Sequence, residues 1–242
     1  MKIAVIIPCY NEEASIKKVV DGLRSVSLTE QFELFPIVVN DCSTDTTLDV
    51  IKKLEVVYLN LAINLGIGGA VQAGFKYALN NNFDIAVQLD GDGQHPAEQI
   101  SELIKPILCN ELDVVIGSRF ISKEGFQSTF FRRLGINYFK WLNNILIGKR
   151  ITDSTSGFRA INRNALEIVC NYYPDDYPEP EALILYSLND LRIGEIPVVM
   201  KERSGGVSSI RSYKSIYYMV KVTLAMLFVY VNLKFNGKRS AL

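Results

Sequence analysis

Short runs of apolar, often β-branched residues alternate with segments of helical spacing through the first half of the chain. The apolar runs cover residues 3–7, 36–39, 56–59, 85–89 and 114–116. Nearly continuous runs of this length are typical of strands that are buried on both faces of a sheet. Helical spacing recurs between them, over 12–26, 44–54, 69–80 and 97–109, with Asn11 and either Ser43 or Asp45 as expected N-caps. The pattern predicts parallel β-α-β units in an open α/β sheet flanked by helices.

The pattern changes after Phe120. Residues 126–148 mix aromatic and aliphatic side chains with Arg, Lys and Asn, which predicts an amphipathic helix, and another helix is expected to open within 177–181. Residues 193–200 predict a strand in which Pro197 fits at a sheet edge. An apolar helix is predicted over 217–233. We therefore expect one α/β domain over 1–210 and a C-terminal helical segment over 211–242.

Composition places the chain among globular proteins, since 48% of its 242 residues are hydrophobic and 21% are charged. The 26 basic and 26 acidic residues balance, so the net charge gives no reason to expect a nucleic acid partner. The cysteines are far apart and form no metal-binding or disulfide framework, and the first residues predict a core strand rather than a signal sequence.

The charges are unevenly distributed along the chain. No acidic residue follows Glu202, and the basic residues after it are Arg203, Arg211, Lys214, Lys221, Lys234, Lys238 and Arg239. Such asymmetry favours an anionic partner for one face, although a solvated basic face is the alternative. Because 217–233 is shorter than the roughly 20 residues that cross a bilayer, we expect peripheral attachment to the cytoplasmic face of the cell membrane. Core packing or the seam of a homodimer is the alternative role for this helix.

Polar and glycine residues follow each of the five predicted strands. These strand ends are residues 8–13, 40–45, 64–69, 90–95 and 117–120. Ligands of open α/β sheets bind outside the carboxyl ends of the strands, so the substrate site is expected there. Residues 64–69 do not form a dinucleotide fingerprint, because Val71 stands where its third glycine would fall. Glycines here suit either tight packing of a helix on the sheet or a bound sugar nucleotide.

Asp90 and Asp92 are the residues with the clearest chemistry. Alternate residues of an extended chain face the same side, so these two carboxylates are expected to converge after the fourth strand. Hard oxygen ligands of this kind suit Mg²⁺ or Mn²⁺ bound against substrate phosphates, although the same four residues also form ordinary turns. His95, the one histidine of the chain, is either a further metal ligand or, more commonly at such a position, a helix-entry residue.

Seven short motifs occur in one order along residues 1–210. They are residues 8–13, 41–45, 64–69, 90–94, 117–119, 156–159 and 203–208. Together they resemble the family 2 glycosyltransferases, in the branch near dolichol-phosphate mannose synthase and the bacterial cell-surface polysaccharide glycosyltransferases. The resemblance implies a GT-A fold, an inverting mechanism, a UDP-, GDP- or dTDP-linked sugar donor, and Mg²⁺ or Mn²⁺ as the cofactor.

The resemblance also implies roles for individual residues. Those implied to bind the nucleotide sugar are Pro8, Tyr10, Glu12, Asp41, Asn64, Gly68, Asp90, Gly91, Arg119, Arg203 and Ser208. The implied metal ligands are Asp92, Asp90 and Gln94. Asn40 stands where many relatives carry an aspartate, which leaves Asp41 as the expected base-recognition residue.

Three carboxylates are candidates for the base that takes a proton from a hydroxyl acceptor. Glu179 and Glu181 lie at a predicted helix N-terminus, where the helix dipole favours the ionised form, and Asp153 precedes the motif at 156–159. We prefer Glu181, then Glu179, with Asp153 as an acceptor-site residue or a structural partner of Arg159. The two glutamates could also merely favour the start of the helix. An acceptor that is already an anion, such as a polyprenyl phosphate, needs no base.

The sequence predicts an inverting transferase that moves a sugar from a nucleotide diphosphate to a lipid-linked or saccharide acceptor in cell-envelope glycan synthesis. A polyprenyl-phosphate mannosyl or glucosyl synthase is one alternative. A nucleotidyltransferase is disfavoured, because residues 9–13 are acidic and contain no glycine. A membrane-surface scaffold without catalysis is the alternative of another class, and the presence of all the carboxylates argues against it.

Overall fold

The structure, a computed structural model, describes residues 1–26, 32–122, 124–125, 130–174, 178–201 and 212–235. The strands in this part of the chain are β1 (Lys2–Cys9), β2 (Glu33–Asn40), β3 (Val57–Asn60), β4 (Ile85–Gln88), β5 (Val114–Ser118), β6 (Arg159–Asn162) and β7 (Ile193–Pro197). The α-helices are α1 (Ile16–Arg24), α2 (Thr47–Lys52), α3 (Gly66–Asn80), α4 (Ile100–Leu108), α5 (Phe130–Ile147), α6 (Arg163–Asn171), α7 (Pro178–Leu188) and α8 (Ser212–Phe235). A 3₁₀ turn, Ala97–Gln99, leads into α4.

All of these strands form one sheet in the order β3-β2-β1-β4-β6-β5-β7. Every neighbouring pair is parallel except the two that involve β6, which runs antiparallel to β4 and to β5. Helices α3, α6 and α7 cover one face with one apolar cluster, and α1, α2 and α4 cover the other face with a second. The predicted mostly parallel α/β sheet is confirmed.

Some local predictions were wrong. Strand β6 was not predicted, because it is only four residues long, begins with Arg159 and lacks the apolar run of a buried strand. β7 ends at Pro197 rather than at residue 200, although it does lie at the sheet edge. The N-cap position of α1 is Ser15 rather than Asn11, and that of α2 is Thr46. Asp45 nevertheless acts at the start of α2, since its Oδ1 accepts from the backbone N–H of Thr47 at 2.9 Å.

A third apolar cluster joins α5, α7 and α8 beside the sheet. Phe139 and Leu142 of α5 pack with Ile184 of α7 and with Val222 and Met226 of α8. The helix predicted over 217–233 corresponds to α8. In the part of the chain that the structure describes, no helix combines the length and the apolar character needed to cross a membrane.

Candidate active site

The loops after β1 and β2 are joined to each other by reciprocal hydrogen bonds. The backbone N–H of Asn11 donates to Ser43 Oγ (3.0 Å), and Asn11 Oδ1 accepts from the backbone N–H of Thr44 (2.8 Å). The backbone N–H of Glu12 donates to Thr47 Oγ1 at 2.8 Å. Asn11 and Ser43 therefore join the two loops and do not cap helices, and the positive φ of Asn11 (58°) is part of this turn.

Pro8 and Tyr10 lie at the end of β1, where the chain passes from the buried sheet to the surface. Pro8 is buried, whereas the Tyr10 side chain is exposed and free to pack against a ligand. Glu12 Oε2 accepts a hydrogen bond from Ser15 Oγ (2.7 Å) at the start of α1. These residues lie together at the carboxyl end of β1, where the sequence predicts the nucleotide-sugar site.

Asp41 fixes the N-terminus of α3 against the end of β2. Its two carboxylate oxygens accept from the backbone N–H groups of Leu65 (2.7 Å) and Gly66 (3.0 Å), and its carbonyl accepts from Asn64 Nδ2 at 3.1 Å. Gly66 has φ +77°, a conformation that favours glycine, and Gly68 is buried in the first turn of α3. Burial raises the pKa of the Asp41 carboxyl, and the two N–H groups oppose this shift.

The loop after β4 passes very close to the end of β1. A Cβ at Gly91 would lie 2.8 Å from Cys9 Sγ and 3.0 Å from the carbonyl oxygen of Pro8, so a side chain there would displace the loop. A Cβ at Gly157, in the loop before β6, would lie 3.1 Å from Asp90 Oδ1. Gly91 therefore lets the loop pass against the end of β1, and Gly157 lets the loop before β6 approach the Asp90 carboxylate.

Asp90, Asp92 and Gln94 are the residues that could hold a metal. The side chain of Asp90 is about one third exposed, while Asp92 is largely buried and its Oδ1 accepts from the backbone N–H of Gln94 at 3.0 Å. Among the described residues, no three His, Cys, Asp or Glu side chains cluster closely enough to hold a metal by themselves. This donor set fits Mg²⁺ or Mn²⁺, which are usually bound by one or two carboxylates together with substrate phosphates.

His95 is packed inside the protein next to this loop. Its ring stacks on Phe158 with a centroid separation of 5.0 Å, and Nδ1 lies 3.8 Å from Asp90 Oδ2. Burial lowers the pKa of His95 to about 4, against the charge of Asp92, which raises it. The neutral ring precedes the 3₁₀ turn that leads into α4, as expected of a helix-entry residue.

Arg119 and Asp153 form a buried, two-pronged ion pair at the end of β5. Arg119 Nε donates to Asp153 Oδ2 (2.6 Å) and Nη2 donates to Oδ1 (2.7 Å), while Nη2 also reaches Thr155 Oγ1 at 2.9 Å. Asp153 was expected to be either an acceptor-site residue or a structural partner of Arg159, and its partner is Arg119 instead. Because Asp153 is fully buried and both its oxygens are bound by Arg119, it holds Arg119 in place rather than facing an acceptor.

Arg159 instead supports the loop that precedes β6. Its Nε donates to the carbonyl of Ser156 (2.7 Å) and its Nη2 to the carbonyl of Ser154 (3.0 Å), whereas Nη1 has no hydrogen-bond partner although it is buried. The Arg159 guanidinium also interacts electrostatically with the carboxylate of Glu179, which acts as a counter-charge.

Glu179 and Glu181, both in the first turn of α7, occupy different surroundings. Burial raises the pKa of the Glu179 carboxyl, the charge of Arg159 opposes that shift, and Asp90 adds to it. Glu181 is only 5% exposed, and its Oε1 accepts from Tyr172 Oη at 2.8 Å. Glu179 rather than Glu181 is therefore the glutamate that interacts electrostatically with Asp90.

Arg203 and Ser208 lie outside the described residues. The segment that leads toward them is held against the loop after β4, since the backbone N–H of Lys201 donates to the carbonyl of Gln94 at 2.9 Å. Gln99 donates to and accepts from the backbone of Val199 (3.3 and 3.1 Å), which fixes this segment further.

The carboxyl ends of strands β1 to β6 all lie within the part of the chain that matches the model of one protein family. The profile described as "Glycosyl transferase family 2" matches residues 4–169. The chain belongs to glycosyl transferase family 2. The family resemblance inferred from the seven motifs is confirmed, and this family 2 enzyme is a nucleotide-sugar glycosyltransferase.

Curated relatives are similar in sequence to this family 2 protein over most of its length. A UDP-N-acetylglucosamine–dolichyl-phosphate N-acetylglucosaminyltransferase from Methanococcus voltae is 33% identical over 81% of this chain and 84% of its own. An undecaprenyl-phosphate mannosyltransferase from Micrococcus luteus is 31% identical over 70% of each chain. A polyprenol monophosphomannose synthase from Mycolicibacterium smegmatis is 29% identical over 84% of this chain and 79% of its own.

Solved structures share the fold. Glucosyl-3-phosphoglycerate synthase from Mycobacterium tuberculosis, in complex with uridine diphosphate, matches with a TM-score of 0.70 and 19% identity, over 95% of this chain and 80% of its own. S. aureus TarS in complex with UDP-GlcNAc matches with a TM-score of 0.66 and 21% identity, over 96% of this chain and 67% of its own. The expected GT-A fold of this family 2 enzyme is confirmed.

Several polar residues near the candidate site were not among the residues predicted from the sequence. These residues are Gln88 at the end of β4, Thr155 in the loop before β6, Tyr172 at the end of α6 and Glu195 inside β7, and none belongs to a motif. Gln88 could have been noticed as the one polar residue of the otherwise apolar β4. The others are brought in by tertiary contacts.

Proposed function

We propose that this enzyme transfers a sugar from a nucleotide diphosphate to the phosphate of a polyprenyl lipid, with inversion at the anomeric carbon. The observation that carries the proposal is the similarity, over about four fifths of the chain, to an enzyme named for a dolichyl-phosphate acceptor. A phosphate oxygen of the acceptor bonds to the anomeric carbon while the bond from that carbon to the diphosphate breaks. The electron pair leaves with the nucleoside diphosphate, and no proton has to be removed from an acceptor that is already ionised.

The surroundings of the two glutamates support an ionised acceptor. Glu181 is covered and bound by Tyr172, and Glu179 is next to the guanidinium of Arg159. Glu181 is thus already the acceptor of the Tyr172 hydroxyl, and Glu179 interacts with the charge of Arg159. A general base has to lie within about 3 Å of the hydroxyl whose proton it takes. A phosphate nucleophile needs no such base.

The donor is proposed to lie across the carboxyl ends of β1, β2 and β4. The nucleoside would contact Pro8, Tyr10, Glu12 and Asp41, and its diphosphate would lie near Asp90, Gly91 and Arg119. Asn64 and Gly68 shape the adjoining end of α3, and Arg203 and Ser208 are proposed to contact the donor as well. We expect Mg²⁺ or Mn²⁺ at Asp90, Asp92 and Gln94, where a divalent cation neutralises the charge of the leaving diphosphate.

We also propose that α5 and α8 attach the protein to an anionic lipid surface at the cytoplasmic face of the membrane. On α8 the exposed apolar side chains recur on one stripe, and they are Val220, Leu224, Leu227, Phe228, Val231 and Phe235. On α5, Leu134, Trp141 and Ile145 recur in the same way. The basic residues Lys140, Lys221 and Lys234 on the same helices complement anionic headgroups. In this proposal 1–210 is the catalytic domain and 211–242 the attachment segment.

One assay tests the proposed reaction. Purified protein with Mn²⁺ is given a panel of UDP-, GDP- and dTDP-sugars together with either a polyprenyl phosphate or the unphosphorylated polyprenol. We expect sugar on the lipid and release of nucleoside diphosphate with the phosphorylated acceptor alone. Transfer to the free alcohol, or no transfer to the phosphorylated lipid with any donor of the panel, would contradict the proposal.

A further inference from the structure

The carboxylate of Glu195, on the edge strand β7, is the end point of a hydrogen-bond network that reaches Arg119. Its Oε1 accepts from the backbone N–H of Asp153 at 2.7 Å. Its Oε2 accepts from the backbone N–H of Thr152 (2.7 Å) and from Thr152 Oγ1 (2.9 Å). We propose that Glu195 is a positioning residue that sets the orientation of Arg119 for substrate binding.

The first path from Glu195 to Arg119 runs through Asp153. By binding the backbone of Thr152 and Asp153, Glu195 fixes the point from which the Asp153 side chain projects. Asp153 Oδ2 in turn accepts from both Nε and the backbone N–H of Arg119, at 2.6 and 3.2 Å. A rigid backbone at Asp153 therefore fixes both the main chain and the guanidinium of Arg119.

The second path runs through hydroxyl groups and has a fixed direction. Thr152 Oγ1 gives its single proton to Glu195, so it accepts from Ser118 Oγ, which lies 2.7 Å away. Ser118 Oγ also accepts, from the backbone N–H of Phe120 at 3.3 Å. The residues on both sides of Arg119 are thus tied to the same carboxylate.

Every hydrogen bond in this network points toward Glu195, so the position requires a group that only accepts. A glutamine has the same size, but its amide NH₂ would face at least one of the two backbone N–H donors. A buried donor left without a partner is costly, and the Thr152–Asp153 backbone would shift to relieve it. An aspartate keeps the acceptor-only chemistry and loses only reach, so Glu195→Asp is expected to be milder than Glu195→Gln.

The inference rests on the proposed function only where it assumes that Arg119 contacts a phosphate of the substrates. Two readouts separate the two ideas. The ¹⁵N resonance of Arg119 Nε–H reports the Asp153 hydrogen bond with no substrate present, and steady-state kinetics report the consequence for transfer. The control is Glu102→Gln, which removes an exposed carboxylate of α4 that only pairs with Lys105.

We expect Glu195→Gln to shift the Arg119 Nε–H resonance and to lower kcat/KM by about 10- to 100-fold, the range for misplacing a positioned group. Its melting transition should stay cooperative, and Glu102→Gln should change neither readout. In an Arg119→Lys background, which has no guanidinium group, adding Glu195→Gln should lower kcat/KM further by less than about threefold.

An unmoved resonance in Glu195→Gln, or the same loss of kcat/KM in both backgrounds, would overturn the inference. A shifted resonance with unchanged kcat/KM would also overturn it, and would place Arg119 outside the substrate site, which counts against the proposed function as well. Failure of all transfer by the unaltered enzyme would count against the proposed function alone, because the resonance test does not depend on it.

Discussion

Arg119 at the end of β5 and Asp153 before β6 are joined by two parallel hydrogen bonds of 2.6 and 2.7 Å, and both residues are buried. This ion pair joins the end of β5 to the loop that precedes β6, its antiparallel neighbour. Breaking a buried ion pair from one side leaves an uncompensated charge, and the usual cost is about 3–5 kcal/mol of folding free energy.

Arg119→Ala is therefore expected to lower the free energy of unfolding by about 3–5 kcal/mol, as measured by urea denaturation. The control is Lys105→Ala, which breaks an exposed pair on α4 and should cost less than about 1 kcal/mol. Equal effects of the two substitutions would show that the Arg119–Asp153 pair contributes no more than a surface contact.

Asp92→Asn is expected to reduce transfer by about 100-fold or more, because loss of a metal's charge stabilisation at the diphosphate costs several kcal/mol. Its unfolding transition should remain near that of the unaltered protein. Chelation with EDTA should abolish transfer, and adding back Mn²⁺ should restore it in the unaltered protein only. Unchanged activity of the unaltered protein in EDTA would contradict the metal site.

Glu179→Gln is expected to retain transfer to a polyprenyl phosphate within about tenfold, since an ionised acceptor needs no base. Glu181→Gln should behave similarly, with some loss of stability from its bond to Tyr172. The measurement is the single-turnover rate at saturating donor. A drop of about 10²–10⁴ in Glu179→Gln would instead indicate a general base and a hydroxyl acceptor.

Gly91→Ala is expected to impair donor binding, because the new methyl group would press on Cys9 Sγ and on the carbonyl of Pro8. The loop that carries Asp90 and Asp92 would shift away from the end of β1, and the KM for the nucleotide sugar should rise. Gly135→Ala in α5 is the matched control. A Cβ at Gly135 meets nothing within 4 Å, so this change should leave KM unaltered and stabilise the helix by about 0.5–1 kcal/mol.

Replacing Phe228 and Phe235 by serine is expected to weaken binding to anionic vesicles, as measured by flotation at low salt. Both rings are more than 70% exposed on the apolar stripe of α8, and burying such rings in the interface supplies much of the attachment energy. Val57→Ser with Tyr58→Ser, on the exposed edge strand β3, is the control and should float like the unaltered protein. If the unaltered protein does not float with the anionic vesicles, the membrane proposal is contradicted.

The apolar periodicity of the sequence determined the sheet and most of the helices. Runs such as 3–7 and 85–89 can bury all their apolar side chains only in strands that are covered on both faces, so the local pattern and the final structure agree. The same pattern placed the acidic loops at the carboxyl ends of the strands, and parallel topology then brings those ends to one edge. Asp41, Asp90 and Asp92 could be found in this way without any coordinates.

Only the tertiary structure decided which polar side chains meet. β6 has too few apolar residues to predict a strand, yet its antiparallel insertion brings Arg159 between β4 and β5. Asp153 and Glu195 each contact a residue dozens of positions away, Arg119 and Thr152 respectively. Glu179 and Glu181 lie in the same helical turn but have different surroundings. Periodicity reports which face of an element is buried, whereas hydrogen-bond partners are set by the packing of elements, and that information is not local in the sequence.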